Sequence, residues 1–94
     1  MLYMVIETFK ENRVEDVYNR AKQCGRMLPK GLNYIESWVE PTFTRCFQLM
    51  ETENEYLFQE WISKWQDLVQ FDVIPVITSE AAAQLINDAT HRQQ

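Results

Sequence analysis

Few residues of this chain are of types that do chemistry: two cysteines, one histidine, and a handful of carboxylates and amides set inside apolar runs. A strand-like stretch, TRCFQLME over residues 44–51, holds an arginine, a thiol and an amide among Phe47, Leu49 and Met50. A buried polar group without a partner costs about 1–3 kcal/mol, so Arg45, Cys46 and Gln48 each need an explanation. Cys24 and Cys46 form no CxxC or other ligand spacing, which leaves no metal or redox motif. His91 is the single histidine and lies in the tail, which argues against haem ligation, a histidine base or a nucleophile–histidine triad. No metal and no cofactor is predicted. The acid–base chemistry left open is a carboxylate, Glu7 or Glu36, whose pKa a cavity raises.

Composition narrows the classes further. A chain of 94 residues, 46% hydrophobic and 13% aromatic, can bury one modest core and is neither disordered nor fibrous. The net charge of −5 and a pI near 4.8 work against binding a phosphate backbone, so nucleic acid is not an expected partner. Arg20, Lys22 and Arg26 form a basic cluster near a predicted helix C-terminus, where cations complement the helix dipole. The opening run MLYMVI is too short for a signal peptide or a membrane span, and the two cysteines read as free thiols. The expectation is a soluble cytoplasmic protein with no membrane partner.

These groups must be positioned by regular elements. No repeat, low-complexity run or linker divides the chain, so residues 1–94 read as one domain: a core over 1–78, a C-terminal helix over 79–90 and a frayed tail over 91–94. LYMVIETF, residues 2–9, is β-rich. Asn12 and Glu15 have capping-box spacing, and Val14, Val17, Tyr18, Ala21 and Cys24 then recur at helical steps, predicting a helix over 13–27. Pro29 and Gly31 stop it. LNYIESWV, residues 32–39, is a second strand, and Pro41 begins a hairpin turn into TRCFQLME. Thr52 with Glu55 repeats the capping spacing ahead of the stripe Phe58, Trp61, Ile62, Trp65, Leu68 and Val69, which reads as core. FDVIPVIT, residues 71–78, is a fourth strand, and Pro75 places it at a sheet edge. Asp67 and Asp72 flank its start as surface residues. Ser79 caps a helix with a narrow apolar side of Ala82, Leu85, Ile86 and Ala89.

The order β-α-β-β-α-β-α predicts a ferredoxin-like α+β fold, a four-stranded antiparallel sheet with two helices on one face, plus a C-terminal helix. A sheet with one wet face should alternate apolar and polar residues, yet Leu2, Met4 and Ile6 oppose Tyr3, Val5, Glu7 and Phe9, and both sets are largely apolar. Something must cover the face that the helices leave free, most simply a second copy of the chain. The C-terminal helix folding over its own sheet is the alternative, an incomplete cover. Pairing Trp38 with Cys46, Glu36 with Gln48 and Tyr34 with Met50 is one of two plausible hairpin registers. It sets Ile35, Val39, Phe47 and Leu49 against the helices, and turns Glu36, Trp38, Cys46 and Gln48 toward the partner sheet. Slipping by one, with Trp38 opposite Arg45, would bury the Gln48 amide among aliphatics.

The segments MLYMVIETFK, SWV, RCFQLME and WISKWQDLVQFDVIPV together resemble an uncharacterised family of small, mainly bacterial proteins, domain of unknown function 3303, over residues 1 to 80. More distantly, the architecture is similar to the dimeric α+β barrels, which include cofactor-independent monooxygenases, muconolactone isomerases and haem-handling enzymes. That likeness implies a homodimer of facing sheets and lends too many activities to select one.

A cavity between two such sheets would be lined by Tyr3, Glu7, Glu36, Trp38, Cys46 and Gln48, aromatic walls with a few polar groups that suit a small apolar or aromatic ligand. Each residue also has a plainer role. Glu7 and Glu36 would be solvated or paired with Arg45 across the dimer, Trp38 would anchor the interface, and Cys46 would be a small buried hydrophobe. Gln48 is left needing a partner across the dimer or on a ligand. The function expected is a homodimeric ligand-binding or structural protein. The alternative is a cofactor-independent monooxygenase or isomerase acting on a small aromatic or lactone substrate, with a Glu as base and Trp38 or Tyr3 positioning the ring.

Overall fold

Strand-forming residues at the start of the chain and either side of Pro41 build the centre of a single sheet. The computed structural model describes residues 1–92, and its elements run β1 (Leu2–Phe9), α1 (Val14–Cys24), β2 (Asn33–Val39), β3 (Arg45–Glu51), α2 (Leu57–Ile62), β4 (Val69–Val76) and α3 (Ser79–Arg92). All pairings are antiparallel and the strand order is β2-β3-β1-β4, the ferredoxin-like arrangement. Pro75, which lacks an N–H, sits as expected in an edge strand.

On β1 and β3 the two faces are assigned the opposite way from the sequence expectation, whereas on β2 Val39 takes the helix side and Glu36 and Trp38 the free face, as expected. Tyr3, Val5 and Glu7 of β1 lie directly opposite Met50, Gln48 and Cys46 of β3, and all six are buried. They face α1 and α2, in one core with Val17, Leu32, Phe58, Trp61, Trp65, Leu68 and Val69. Tyr3 meets Phe58 edge-on at 5.0 Å, and Trp61 meets Phe71 likewise at 5.3 Å. Phe47 and Leu49, expected under the helices, lie on the other face with Leu2, Met4 and Ile6.

The hairpin register is also corrected. Tyr34 pairs with Met50 as expected, but the register then shifts, so that Glu36 opposes Leu49, Ser37 opposes Gln48 and Trp38 opposes Phe47. Ile35 is the extra residue of this bulge and is half exposed. Side chains alternate with period two along a strand, so one inserted residue sends everything beyond it to the other face. Trp38 and Glu36 therefore part company with Cys46 and Gln48.

Helix boundaries differ for local reasons. Helix α1 begins after Arg13 with no side-chain cap, because Asn12 occupies the turn with φ 61°, and it ends at Gly25, whose φ of 68° no β-carbon-bearing residue adopts easily. Residues 25–27 thus belong to the connection. Helix α2 starts later than the Thr52 spacing suggests: Thr52 Oγ1 accepts from the Asn54 N–H, and Asn54 Oδ1 from the Tyr56 N–H. After Ile62 the chain continues in turns, with the Lys64 and Trp65 N–H groups reaching back three residues, and Val69 already begins β4.

Helix α3 stands away from the sheet, with Leu85 60% and Ile86 67% exposed, so it does not cover its own free face. It remains helical through Arg92, past the expected start of a frayed tail; residues 93 and 94 of that tail, and the side chains of 91 and 92, lie outside the described residues.

One carbonyl joins the connection after α1 to the α2 region. The indole N–H groups of Trp61 and Trp65 both donate to the Arg26 carbonyl oxygen at 3.0 Å, and Lys64 Nζ donates to the Met27 carbonyl at 3.1 Å. Trp61→Phe and Trp65→Phe should each leave that oxygen one donor, whereas the double variant leaves none. In a urea-denaturation double-mutant cycle the double variant is expected to lose about 0.5–1 kcal/mol more than the sum of the singles; strict additivity would show that the two bonds are not shared in this way.

Candidate functional site

Between the helix-covered sheet face and α1 lies a cavity of about 260 Å³. Its floor is built by Glu7 and Phe9 of β1, Cys46 and Gln48 of β3, and Ser37 and Val39 of β2, which the bulge has turned to this side. Val17, Tyr18 and Ala21 of α1 form one wall, Trp61 and Trp65 another, and Gly25 and Arg26 stand at the end of α1. Three of the residues expected to share a site, Glu7, Cys46 and Gln48, are brought together here, inside one protomer rather than between two sheets. Tyr3 is on the same face but packs in the core against Phe58. Trp38, 53% exposed, and Glu36 lie on the opposite face, so only Glu7 of the two carboxylates weighed as a base reaches the cavity.

Arg26 answers the question raised by Gln48. Its Nε–H donates to Gln48 Oε1 at 3.3 Å, while the guanidinium lies 3.7 Å over the Tyr34 ring. Tyr34 is in turn hydrogen-bonded through its hydroxyl to Ser37 Oγ at 2.7 Å. Sequence reasoning set Arg26 on the helix as a dipole cation and missed it as a site residue; Gly25, directly before it, was the available sign that the helix had ended. Arg20, from the same basic cluster, does a structural job, pairing bidentately with Asp67 at 2.8 and 2.7 Å and lying over Trp65. That pairing holds the Asp67 carboxyl down to about 2. Arg45 pairs with Glu40 inside its own hairpin, at 2.8 and 3.1 Å, and not with Glu7 or Glu36.

Glu7 is the unusual group. Only 6% of it is exposed, and its Oε2 is buried with no hydrogen-bond partner among the described residues. Glu51 Oε2 shares that condition but lies at the far end of β3, away from the cavity. Burial pushes the Glu7 carboxyl up to about 7, against the pull of the nearby Arg26 cation. Burial likewise pushes the Cys46 thiol up to about 12, helped by Glu7 and opposed by Arg26, so Cys46 is an inert thiol at neutral pH. Cys24 is exposed and also free. Among the described residues no group of three His, Cys, Asp or Glu is placed to hold a metal ion, and no helix is long and apolar enough to cross a membrane.

The Glu7 shift makes stability depend on pH. Below the ordinary value of 4.5 the carboxyl is protonated whether the chain is folded or unfolded. Between there and about 7 the unfolded chain releases its proton while the folded one keeps it, so folding loses stability as pH rises, and the loss is complete above about 7. The full contribution is on the order of 3 kcal/mol. Urea midpoints should therefore fall for the wild type from pH 5 to 8, and Glu7→Gln should remove that part of the slope. Parallel curves for the two proteins would refute a buried acid at this position.

No curated protein and no solved structure matches the chain. The family model of Domain of unknown function (DUF3303) matches residues 1–90, a span that takes in all four strands and both packed helices. By that match the chain belongs to the DUF3303 family.

Proposed function

We propose that the protein is a small-molecule binding module, that its ligand occupies the cavity between the sheet and α1, and that it works as a homodimer. The observation that carries the binding reading is Glu7. An acid buried beside a cavity, with one oxygen unpartnered, costs stability, and a bound molecule that hydrogen-bonds to it offsets that cost. The surroundings have the usual make-up of a ligand site, mostly apolar and aromatic walls with Arg26, Gln48 and Ser37 as convergent polar groups. The free thiols Cys24 and Cys46 suit a reducing compartment, which supports a cytoplasmic setting.

The dimer rests on a different surface. Leu2, Met4, Ile6, Phe47, Leu49, Ile74 and Trp38 share the uncovered sheet face, and α3 extends beyond the sheet with Leu85 and Ile86 exposed. A two-fold pair of facing sheets buries the first surface, and α3 of each copy provides an apolar side for the other. Light scattering after size exclusion should give twice the chain mass at micromolar concentration, and Phe47→Lys should give the monomer with an unchanged far-ultraviolet spectrum. A wild-type monomer would end the dimer reading.

For the cavity, phenol titrated into isotopically labelled protein should shift the Trp61 and Trp65 indole N–H resonances, and Ala21→Phe, which fills the space from α1, should abolish the shifts while the protein stays folded. Equal shifts in both proteins would place binding elsewhere.

A further inference from the structure

Two groups facing the cavity are under-used by the protein itself, and together they define a ligand. Arg26 commits its Nε–H to Gln48 and its guanidinium face to Tyr34, which holds the planar group in one orientation. Its Nη atoms have no acceptor side chain among the described residues, and it forms no salt bridge there, with Glu7 or any other carboxylate. A guanidinium fixed in this way presents donors suited to a bidentate acceptor. Glu7 lines the same cavity with a buried, unpartnered oxygen. A protonated carboxyl adds one O–H donor.

We infer that the cavity binds a small monocarboxylate, whose carboxylate accepts hydrogen bonds from the Arg26 Nη groups and from the Glu7 carboxyl proton, and whose hydrocarbon part lies against Trp61, Trp65 and Val17. The anion supplies the charge that Arg26 lacks and the acceptor that the Glu7 acid lacks. It rests on the binding reading above and specifies its ligand class. A ligand with an apolar body also matches the walls, and a volume of about 260 Å³ limits it to a single ring or a short chain.

The arrangement makes binding depend on the Glu7 proton. The other titratable groups around Glu7 do not interfere at neutral pH. Across the sheet, Cys46 stays protonated to about 12 and Phe71 is uncharged; on α1, the Tyr18 phenol is also held above its ordinary value; the guanidinium of Arg26 acts on Glu7 by its charge, which favours the anion and is outweighed by burial. Ser37 and Val39 of β2 and the two tryptophans carry no charge. Glu7 is protonated up to about 7 and above that becomes an anion that repels a carboxylate.

Benzoate, benzamide and benzylamine, followed through the Trp61 and Trp65 indole resonances, test this. At pH 6 benzoate should bind at least tenfold more tightly than benzamide, and its affinity should fall about tenfold per pH unit once Glu7 ionises. Arg26→Gln should erase the preference for benzoate over benzamide, and Glu7→Gln should flatten the pH dependence while keeping that preference. If benzamide or benzylamine binds as tightly as benzoate, the cavity reading stands and the carboxylate inference fails. If none of the three moves the indole signals, both fail.

Discussion

Two indole N–H groups converge on one carbonyl oxygen, that of Arg26, and much of the site's geometry depends on that junction. It ties the irregular segment after α1 to Trp61 and Trp65, and so fixes the height of that segment above the sheet. With the backbone held there, the Arg26 side chain reaches across Tyr34 to Gln48. Gly25 makes the junction reachable, because its positive φ ends α1 and redirects the chain, and Met27 takes a second left-handed conformation, φ 59°, two residues later. Such backbone is unfavourable for a residue with a side chain and persists where surrounding bonds over-determine it; the indole pair and the Lys64 bond to the Met27 carbonyl are those bonds.

The same junction explains how polar groups come to lie under helices. Glu7 and Gln48 are diagonal neighbours on adjacent strands, since Val5 opposes Gln48 and Glu7 opposes Cys46. Facing a dry helix they would be prohibitively placed. Instead α1 stops short at Cys24 and leaves a cavity, and the loop returns a guanidinium to the amide. Satisfying the amide leaves the Glu7 carboxyl as the cavity group with an oxygen unpartnered among the described residues. Glu7, Cys46 and Gln48 are thereby gathered on the helix side, and the opposite face carries Leu2, Met4, Ile6, Phe47 and Leu49 at its centre with Glu36, Asp72 and Glu51 among them.

Local signals in the sequence were enough for the order of elements, the edge position of the Pro75 strand and the hairpin about Pro41, because turn residues and hydrophobic periods act within a few positions. The sidedness of β1 and β3 was not legible. Sequence reasoning turned Gln48 away from the helices because an amide among aliphatics is costly, and that principle is sound; its partner, Arg26, is 22 residues distant and on an element read as helix. The bulge at Ile35 left no mark of its own either. Without glycine or proline at that point, nothing in NYIESWV distinguishes a regular strand from one carrying an extra residue. Pairing across the bulge decides whether Ser37 and Val39, or Glu36 and Trp38, join the cavity, so one irregular residue removed Glu36 and Trp38 from the expected site.

What the cavity gains from having an acid rather than an amide at Glu7 follows from its neighbours. A glutamine there would be neutral at every pH and would always carry both a donor and an acceptor. A carboxylic acid near its own pKa alternates between one donor and a full anion, and burial, opposed by the Arg26 cation, sets where it changes over. Burial alone favours the neutral acid, and a guanidinium in direct contact would favour the anion. Here Arg26 is near enough to pull the carboxyl down and is occupied by Gln48, so burial outweighs it without removing the titration from the neutral range. The amide that first looked misplaced in TRCFQLME thus acts indirectly: by holding Arg26, Gln48 keeps the guanidinium from neutralising Glu7 and leaves both groups directed at the same space.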